Sequence, residues 1–349
     1  MTEISLSFRG GGHIIENLFH NIVSIPNLLK AWKEFKRGKR NKKGVGDFEM
    51  CLEENIFELH EDLISKKYQH SEYADFYISD PKRRHIHKAS VRDRVVHQAI
   101  FQILYPVFDK HFIYDSYSSR KSRGTHLGVQ RTYRACRKVS KNWKIKTYVL
   151  KCDVRKFFDS IDHSILRNLI LKKMDCDETM RLVGILFKSF EKEKEKGLPL
   201  GNVTSQLFSN IYLNELDQFA KHDLKLKYYF RYCDDFVIIH ENKDFLLEIM
   251  EKIRNFLREN LELDLHPKKV EIRPLRRGID FLGYVILPHM VVLRTRTRWR
   301  IIRKIKMMRK KLETDLISEE KFKSVLNSYF GVVSHCRARK TEAFIKRFL

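Results

Sequence analysis

Apolar residues recur at three- and four-residue intervals through IIENLFHNIVSIPNLLKAWKEF and FEMCLEENIFELHEDLI, so residues 14–68 predict two or more amphipathic helices. The intervening KRGKRNKKGVGD reads as a loop, with six Lys or Arg within Lys36–Lys43. YADFYISDPKRRHIHKAS is strand-like and broken at Asp80-Pro81. VRDRVVHQAIFQILYPVF predicts a helix stopped near Pro106, whose ring removes a backbone donor. From about residue 147 the texture changes: TYVLKCDV is an apolar run of strand type, followed by helix-like HSILRNLILKKM. KYYFRYCDDFVIIH predicts two short strands around a tight turn at Asp234-Asp235. NKDFLLEIMEKIRNFLREN predicts a strong amphipathic helix, VEIRPLRRGIDFLGYVIL a hairpin, and Arg294–Leu349 a mostly helical tail. The order is that of an α+β core, helices packed on one face of a sheet, with helical regions flanking it.

Composition adds a partner. The 349 residues are 43% hydrophobic and 12% aromatic, which excludes a disordered chain and leaves ample material for a core. Lys and Arg number 69 against 44 Asp and Glu, a formal charge of +25. That excess predicts a polyanion, most naturally nucleic acid, because each phosphate neutralised releases counterions. It is concentrated in Arg294–Lys311, with ten Lys or Arg and no acid. No window is long and apolar enough to span a bilayer, and the N-terminus shows no apolar signal region, so no membrane is expected. The six scattered cysteines form no CxxC pair; they argue against a disulfide framework or a zinc site and fit reduced thiols in the cytoplasm.

Three carboxylates carry the candidate chemistry. Asp153 ends an apolar strand, and Asp234 and Asp235 sit on the turn of an apolar hairpin. Adjacent aspartates in an apolar run are costly to bury unless a divalent cation compensates them. Two strands delivering three carboxylates to one place make a site for two Mg²⁺ ions. The bland reading is an Asp-Asp β-turn beside an unrelated strand end.

The surroundings favour the first reading. KCDVRKFFDSIDH, GLPLGNVTSQLFSNIYLNELD, FRYCDDFVIIH and LDLHPKKVEI resemble, in order, motifs A to D of reverse transcriptases, and GIDFLGY resembles their primer-grip hairpin. Upstream, DPKRRHIHKASVRDRVVHQAI and FIYDSYSSRKSRGTH resemble the fingers motifs of bacterial, intron-related members. The resemblance runs from about residue 20 to residue 340. It implies a right-hand polymerase with an antiparallel-sheet palm: an N-terminal extension and fingers in 1–146, palm in 147–290, and a basic helical thumb in 291–349. It further implies that Asp153, Asp234, Asp235 and the Val154 carbonyl hold the metals, and that Lys269, rather than Lys268, protonates the leaving pyrophosphate. Lys82, Arg84, Phe158, Leu200, Gly201 and Gln206 would meet the incoming dNTP, Phe158 as the ring that excludes a ribose 2′-hydroxyl. Arg123, Gly124, Phe281, Leu282, Gly283, Arg296, Arg298 and Arg300 would follow template and primer.

Motif B narrows the resemblance. Where many relatives have Gln before the glycine, this chain has Leu200-Gly201, followed by Ser205-Gln206, a form similar to that of diversity-generating retroelement enzymes. The family then implies an error-prone copier of a template-repeat RNA, misincorporating opposite adenine, partnered by template RNA, nascent cDNA, dNTPs and a small, basic, oligomeric accessory variability protein. Another bacterial reverse transcriptase, intron-like or defensive, is the nearest alternative. A catalytically silent RNA-binding scaffold is a third.

Overall fold

The computed structural model describes residues 6–9, 12–15, 18–79, 83–174 and 176–348. The chain begins with β1 (Leu6–Arg9), β2 (Gly12–Ile15), α1 (Leu18–Val23), α2 (Ile25–Phe35), α3 (Lys43–Met50) and α4 (Leu52–Ile64). There follow β3 (Ala74–Ile78), β4 (Arg84–Lys88), α5 (Val91–Asp109), α6 (Thr125–Val139), β5 (Tyr148–Asp153), α7 (Phe157–Ser160), α8 (His163–Leu171) and α9 (Asp177–Lys188). Next are α10 (Val203–Gln218), β6 (Tyr229–Tyr232), β7 (Asp235–His240), α11 (Lys243–Leu261), β8 (Glu271–Pro274), β9 (Ile279–Phe281), β10 (Tyr284–Leu287) and β11 (Met290–Leu293). The chain closes with α12 (Thr295–Glu313), α13 (Glu319–Val333) and α14 (Arg339–Lys346).

These elements form two compact units, each assembled from three separated stretches. The first comprises Met1–Tyr114, Val154–Asp223 and Ile253–His266; the second comprises Asp115–Asp153, Leu224–Lys252 and Pro267–Leu349.

In the first unit the α2 stripe Leu28, Ala31, Trp32 and Phe35 is buried, as are Ile56, Leu59 and Leu63 of α4 and Val95, Val96, Ala99, Ile100 and Leu104 of α5. The buried Asn27 amide ties α2 to α5, donating to the Ala99 carbonyl at 3.3 Å. Ser90 starts α5 by accepting from the Asp93 backbone N–H, so this helix begins where an N-cap residue stands. The His97 ring on α5 then meets the Thr204 hydroxyl at 2.6 Å, which fixes the start of α10.

In the second unit the main sheet has strand order β6-β7-β5-β8, every pairing antiparallel. Alternate residues Val149, Val237 and Ile239 join Val129, Ala135 and Cys136 of α6 in one core. The same core takes in Phe281, Tyr284 and Ile286 of the β9–β11 sheet and Ile301, Ile305, Leu326 and Ile345 of the terminal helices.

Four expectations change. Ile14 and Ile15 belong to β2 rather than a helix, paired with Ser7 and Leu6, as β-branched residues favour. The first helical stretch is cut at Ser24, whose hydroxyl caps α2 with Pro26 in the first turn; helix resumes at Lys43, inside the expected loop. Helix α5 runs through Pro106 to Asp109, since only a last turn lies beyond the proline and Val107 and Phe108 are buried. The hairpin expected in VEIRPLRRGIDFLGYVIL is present as β9 and β10, but it is confined to the second half of that segment: EIRP lies outside it as β8, which pairs with β5.

Candidate active site

Strand β5 delivers Asp153 at its end, directly opposite Asp235, the first residue of β7. Asp235 also pairs with Tyr232, so the hairpin turn is Cys233-Asp234, one residue earlier than the expected Asp234-Asp235. The shift matters chemically, because Asp235 is thereby held in strand register against Asp153 while Asp234 rides the turn. Cys233 takes a left-handed conformation, φ 55°, uncommon for a non-glycine residue and of a kind that gathers at functional sites. The fully buried Arg231 side chain braces it, its Nη1 donating to the Cys233 carbonyl at 3.1 Å.

The electrostatics disfavour three charges. Burial first, then the Asp153 carboxylate, pushes the Asp234 carboxyl above its ordinary range. Burial also drives Asp235 up to about 7, with Asp153 and Asp234 adding to the rise and Lys151 opposing it. One Asp235 oxygen, Oδ1, is buried with no hydrogen-bond partner. An all-oxygen cluster with an orphaned carboxylate oxygen and self-repelling charge matches what a hard divalent cation needs.

Two lysines face this cluster. Lys269 Nζ lies 2.6 Å from Asp153 Oδ1, so the structure brings this motif D lysine to the carboxylates. Lys151 Nζ lies 3.5 Å from Asp235 Oδ2 and donates to the Asp280 carbonyl at 2.5 Å. Sequence reasoning overlooked Lys151, although its signal was present: it sits two residues before Asp153, on the same strand face. Arg231 was missed too, because nothing local marks an arginine in an apolar strand as buried.

The remaining candidates fall into separate places. Val154 follows Asp153 in the chain and its backbone bridges to Leu265. Phe158 is half-buried beside the buried Phe157, and its carbonyl accepts from the Leu198 N–H at 2.7 Å. The Leu200 carbonyl accepts from the His87 N–H of β4 at 3.1 Å. Gly201, at φ 130°, comes so close to β4 that a Cβ would lie 3.2 Å from the His87 carbonyl, so glycine is required twice over. Gln206 is exposed on α10 and Arg84 is exposed on β4; Lys82 lies outside the described residues. Gly124 directly precedes α6, and Arg123 lies just before it.

Two template or primer candidates need correction. Phe281 is fully buried in the core, whereas Leu282 and Gly283 form the turn between β9 and β10. Arg296, Arg298 and Arg300 do not share a face: at 100° per residue Arg298 points away from the other two, toward the side of buried Ile301 and Ile305. Its Nε is indeed buried without a partner, while Arg296 is exposed.

Residues 66–286, more than half the chain, match the family described as "Reverse transcriptase (RNA-dependent DNA polymerase)". The chain belongs to that family. It is therefore of the RNA-directed DNA polymerase class, with the α+β, right-hand polymerase architecture. Protein YkfC of Escherichia coli is 27% identical over 274 residues, covering 66% of this chain and 70% of its own. The group II intron-encoded protein LtrA of Lactococcus lactis is 23% identical over 305 residues, 67% of this chain; the match spans half the length of LtrA. Among solved structures, Candida tropicalis telomerase aligns with TM-score 0.47 at 17% identity, covering 68% of this chain and 59% of that one. Among the described residues no helix is long and apolar enough to cross a membrane.

Proposed function

We propose that this reverse transcriptase is an error-prone RNA-directed DNA polymerase of a diversity-generating retroelement, copying a template-repeat RNA into mutagenised cDNA. The observation that carries the polymerase chemistry is Asp153 facing Asp235 across β5 and β7 with Asp234 on the adjoining turn. Asp153, Asp234 and Asp235, with the Val154 carbonyl, would hold two Mg²⁺ ions. Bound there, the ions would supply charge neutralisation and a more acidic primer hydroxyl. In the reaction the primer 3′-oxygen bonds to the α-phosphorus as the bond to pyrophosphate breaks. Lys269, held against Asp153, would give its proton to that leaving group. Lys151 offsets the charge of Asp235 and ties it to the Asp280 backbone, restraining the carboxylate in position.

Arg84, Phe158, Leu200, Gly201 and Gln206 keep a nucleotide-selecting role within the proposal. Leu200 supports the error-prone reading. It occupies the place of a hydrogen-bonding Gln, and losing one such contact weakens discrimination by roughly 1–3 kcal/mol. The β4 backbone holds the Leu200 carbonyl, so its side chain can be exchanged without unmaking the turn. The named likeness to an intron-encoded protein favours a second reading, a faithful intron-like enzyme.

Sequencing cDNA made on an adenine-containing RNA template, with and without the accessory protein, separates the two. Errors concentrated at adenines, and reduced by Leu200→Gln, support the retroelement reading. Uniformly faithful cDNA transfers the enzyme to the second reading. In the same assay Phe158→Ala should admit ribonucleotides; unchanged sugar selection returns Phe158 to a packing role.

A further inference from the structure

The β3–β4 hairpin of the first unit carries a second constellation of possible ligands. Asp75 pairs directly with His87, and Tyr77 with His85, so strand alternation puts Asp75, Tyr77, His85 and His87 on one face. Arg84, Ile86, Phe76 and Ile78 take the other face, leaving the expected triphosphate-contacting Arg84 apart from this cluster. One ligand atom each from Asp75, His85 and His87 lies within 4.8 Å of the others. His85 Nε2 is 2.9 Å from Asp75 Oδ2, and the two imidazole rings are 4.3 Å apart.

The rings are also held. Tyr77 stacks on His85 at 4.5 Å with planes 8° apart, and the Arg83 guanidinium covers Tyr77 at 4.4 Å. Phe190 packs against His87 at 4.5 Å.

We propose that Asp75, His85 and His87 form a transition-metal site, taking Zn²⁺. Two imidazole nitrogens and one carboxylate oxygen, with positions left open to water, are a zinc donor set; Mg²⁺ prefers oxygen ligands. The donors therefore separate this site from the all-oxygen carboxylate cluster. Tetrahedral bonds of about 2.0–2.1 Å set ligand atoms about 3.3 Å apart, so the His85–Asp75 pair at 2.9 Å opens slightly and the wider separations within the 4.8 Å cluster close, adjustments that side-chain rotation supplies. The sequence expectation against zinc concerned cysteine, which this site does not use. Because the His87 backbone N–H holds the Leu200 carbonyl, a metal joining β3 to β4 would also stiffen the strand that supports the Leu200-Gly201 turn.

The test titrates Zn²⁺, and Co²⁺ as a visible-absorbing probe, into the full chain in excess Mg²⁺ to occupy the carboxylate cluster. Parent, His87→Asn and the exposed-site variant Asp75→Asn are compared, each checked for an unchanged circular dichroism spectrum. The expected result is one saturable site in the parent, ligand-field absorption from Co²⁺, and a rise in Tm with Zn²⁺. In either variant affinity should fall about tenfold or more. Equal affinity in the parent and the folded variants, or no saturable binding by the parent in Mg²⁺, overturns the proposal. Should His87→Asn fail to fold, Asp75→Asn decides alone.

Discussion

Two hairpins of the second unit turn through two residues each, Cys233-Asp234 between β6 and β7 and Leu282-Gly283 between β9 and β10. Both enter on a left-handed non-glycine residue, φ 55° at Cys233 and 54° at Leu282. Both are braced by a hydrogen bond to the turn, from Arg231 Nη1 to the Cys233 carbonyl and from the Arg294 N–H to the Gly283 carbonyl. They diverge at the second position. The later hairpin uses Gly283 at φ 86°, the residue that a turn with two positive φ values calls for. The earlier one uses an aspartate whose carboxyl is raised by burial and by a second carboxylate. Where the chain needs only to reverse direction it takes the residue that turns most easily. Where it needs a charge in one place it carries an unfavourable one, and that departure marks the site.

The sharpest way to break the comparison is to give the first turn the chemistry of the second. Asp234→Gly should reduce polymerisation by about a thousand-fold or more, since the lost charge stabilisation is several kcal/mol. Its Tm should stay within a few degrees of the parent, because the entropy that glycine adds to the unfolded chain is offset by removal of a buried carboxylate that Asp153 repels. Retained synthesis would show that the turn is only a turn. Lys269→Met comes next: loss of a positioned acid should lower kcat about a hundred-fold and change the alkaline side of the pH–rate profile. An unchanged profile would make Lys269 a mere surface partner of Asp153.

Asp235→Asn tests the electrostatic side. In the folded chain Asp235 titrates at about 7 against an ordinary 3.8, so the folded state holds the proton more tightly than the unfolded state does. Its contribution is fully present below pH 3.8 and is lost as pH rises toward 7. Without Mg²⁺, the variant should therefore match the parent near pH 4 and exceed it increasingly toward neutrality, by about 1–2 kcal/mol after partial exposure is allowed for. Denaturant unfolding across that range checks it; a constant difference would contradict the assigned cause. Gly283→Ala should give the smallest effect, a destabilisation of about 1 kcal/mol from the left-handed backbone alone. The nearest atom to its new Cβ, Thr297 Oγ1, is at an ordinary 3.5 Å, so a larger loss would mean the turn is packed more tightly than it is.

Local signals were readable and distant pairings were not. The apolar runs ending at Asp153 and flanking Asp234, the stripe of α11 and the basic tail are periodic within a few residues, and each element is present. Strand β8 is not legible as a separate strand because its partner, β5, lies more than a hundred residues away, and no local pattern records that choice. Propensity puts the turn one residue late, because Asp-Asp is a good turn pair, whereas register against β5 decides which aspartate joins the strand. Lys151 and Arg231 escaped for a related reason: their roles arise only once strands are paired. In α12, Arg296, Arg298 and Arg300 read as one basic group along the sequence, but helical geometry divides them.

Primer extension over an RNA template with dNTPs, comparing the parent with Asp153→Asn, each with Mg²⁺ and with chelator, tests the facing carboxylates most directly. Template–primer affinity is measured in parallel. The prediction is cDNA from the parent in Mg²⁺ alone, none from the variant, and equal template–primer binding by both. Synthesis by Asp153→Asn at the parental rate, or parental synthesis indifferent to the cation, would contradict the placing of the reaction at the facing carboxylates of β5 and β7.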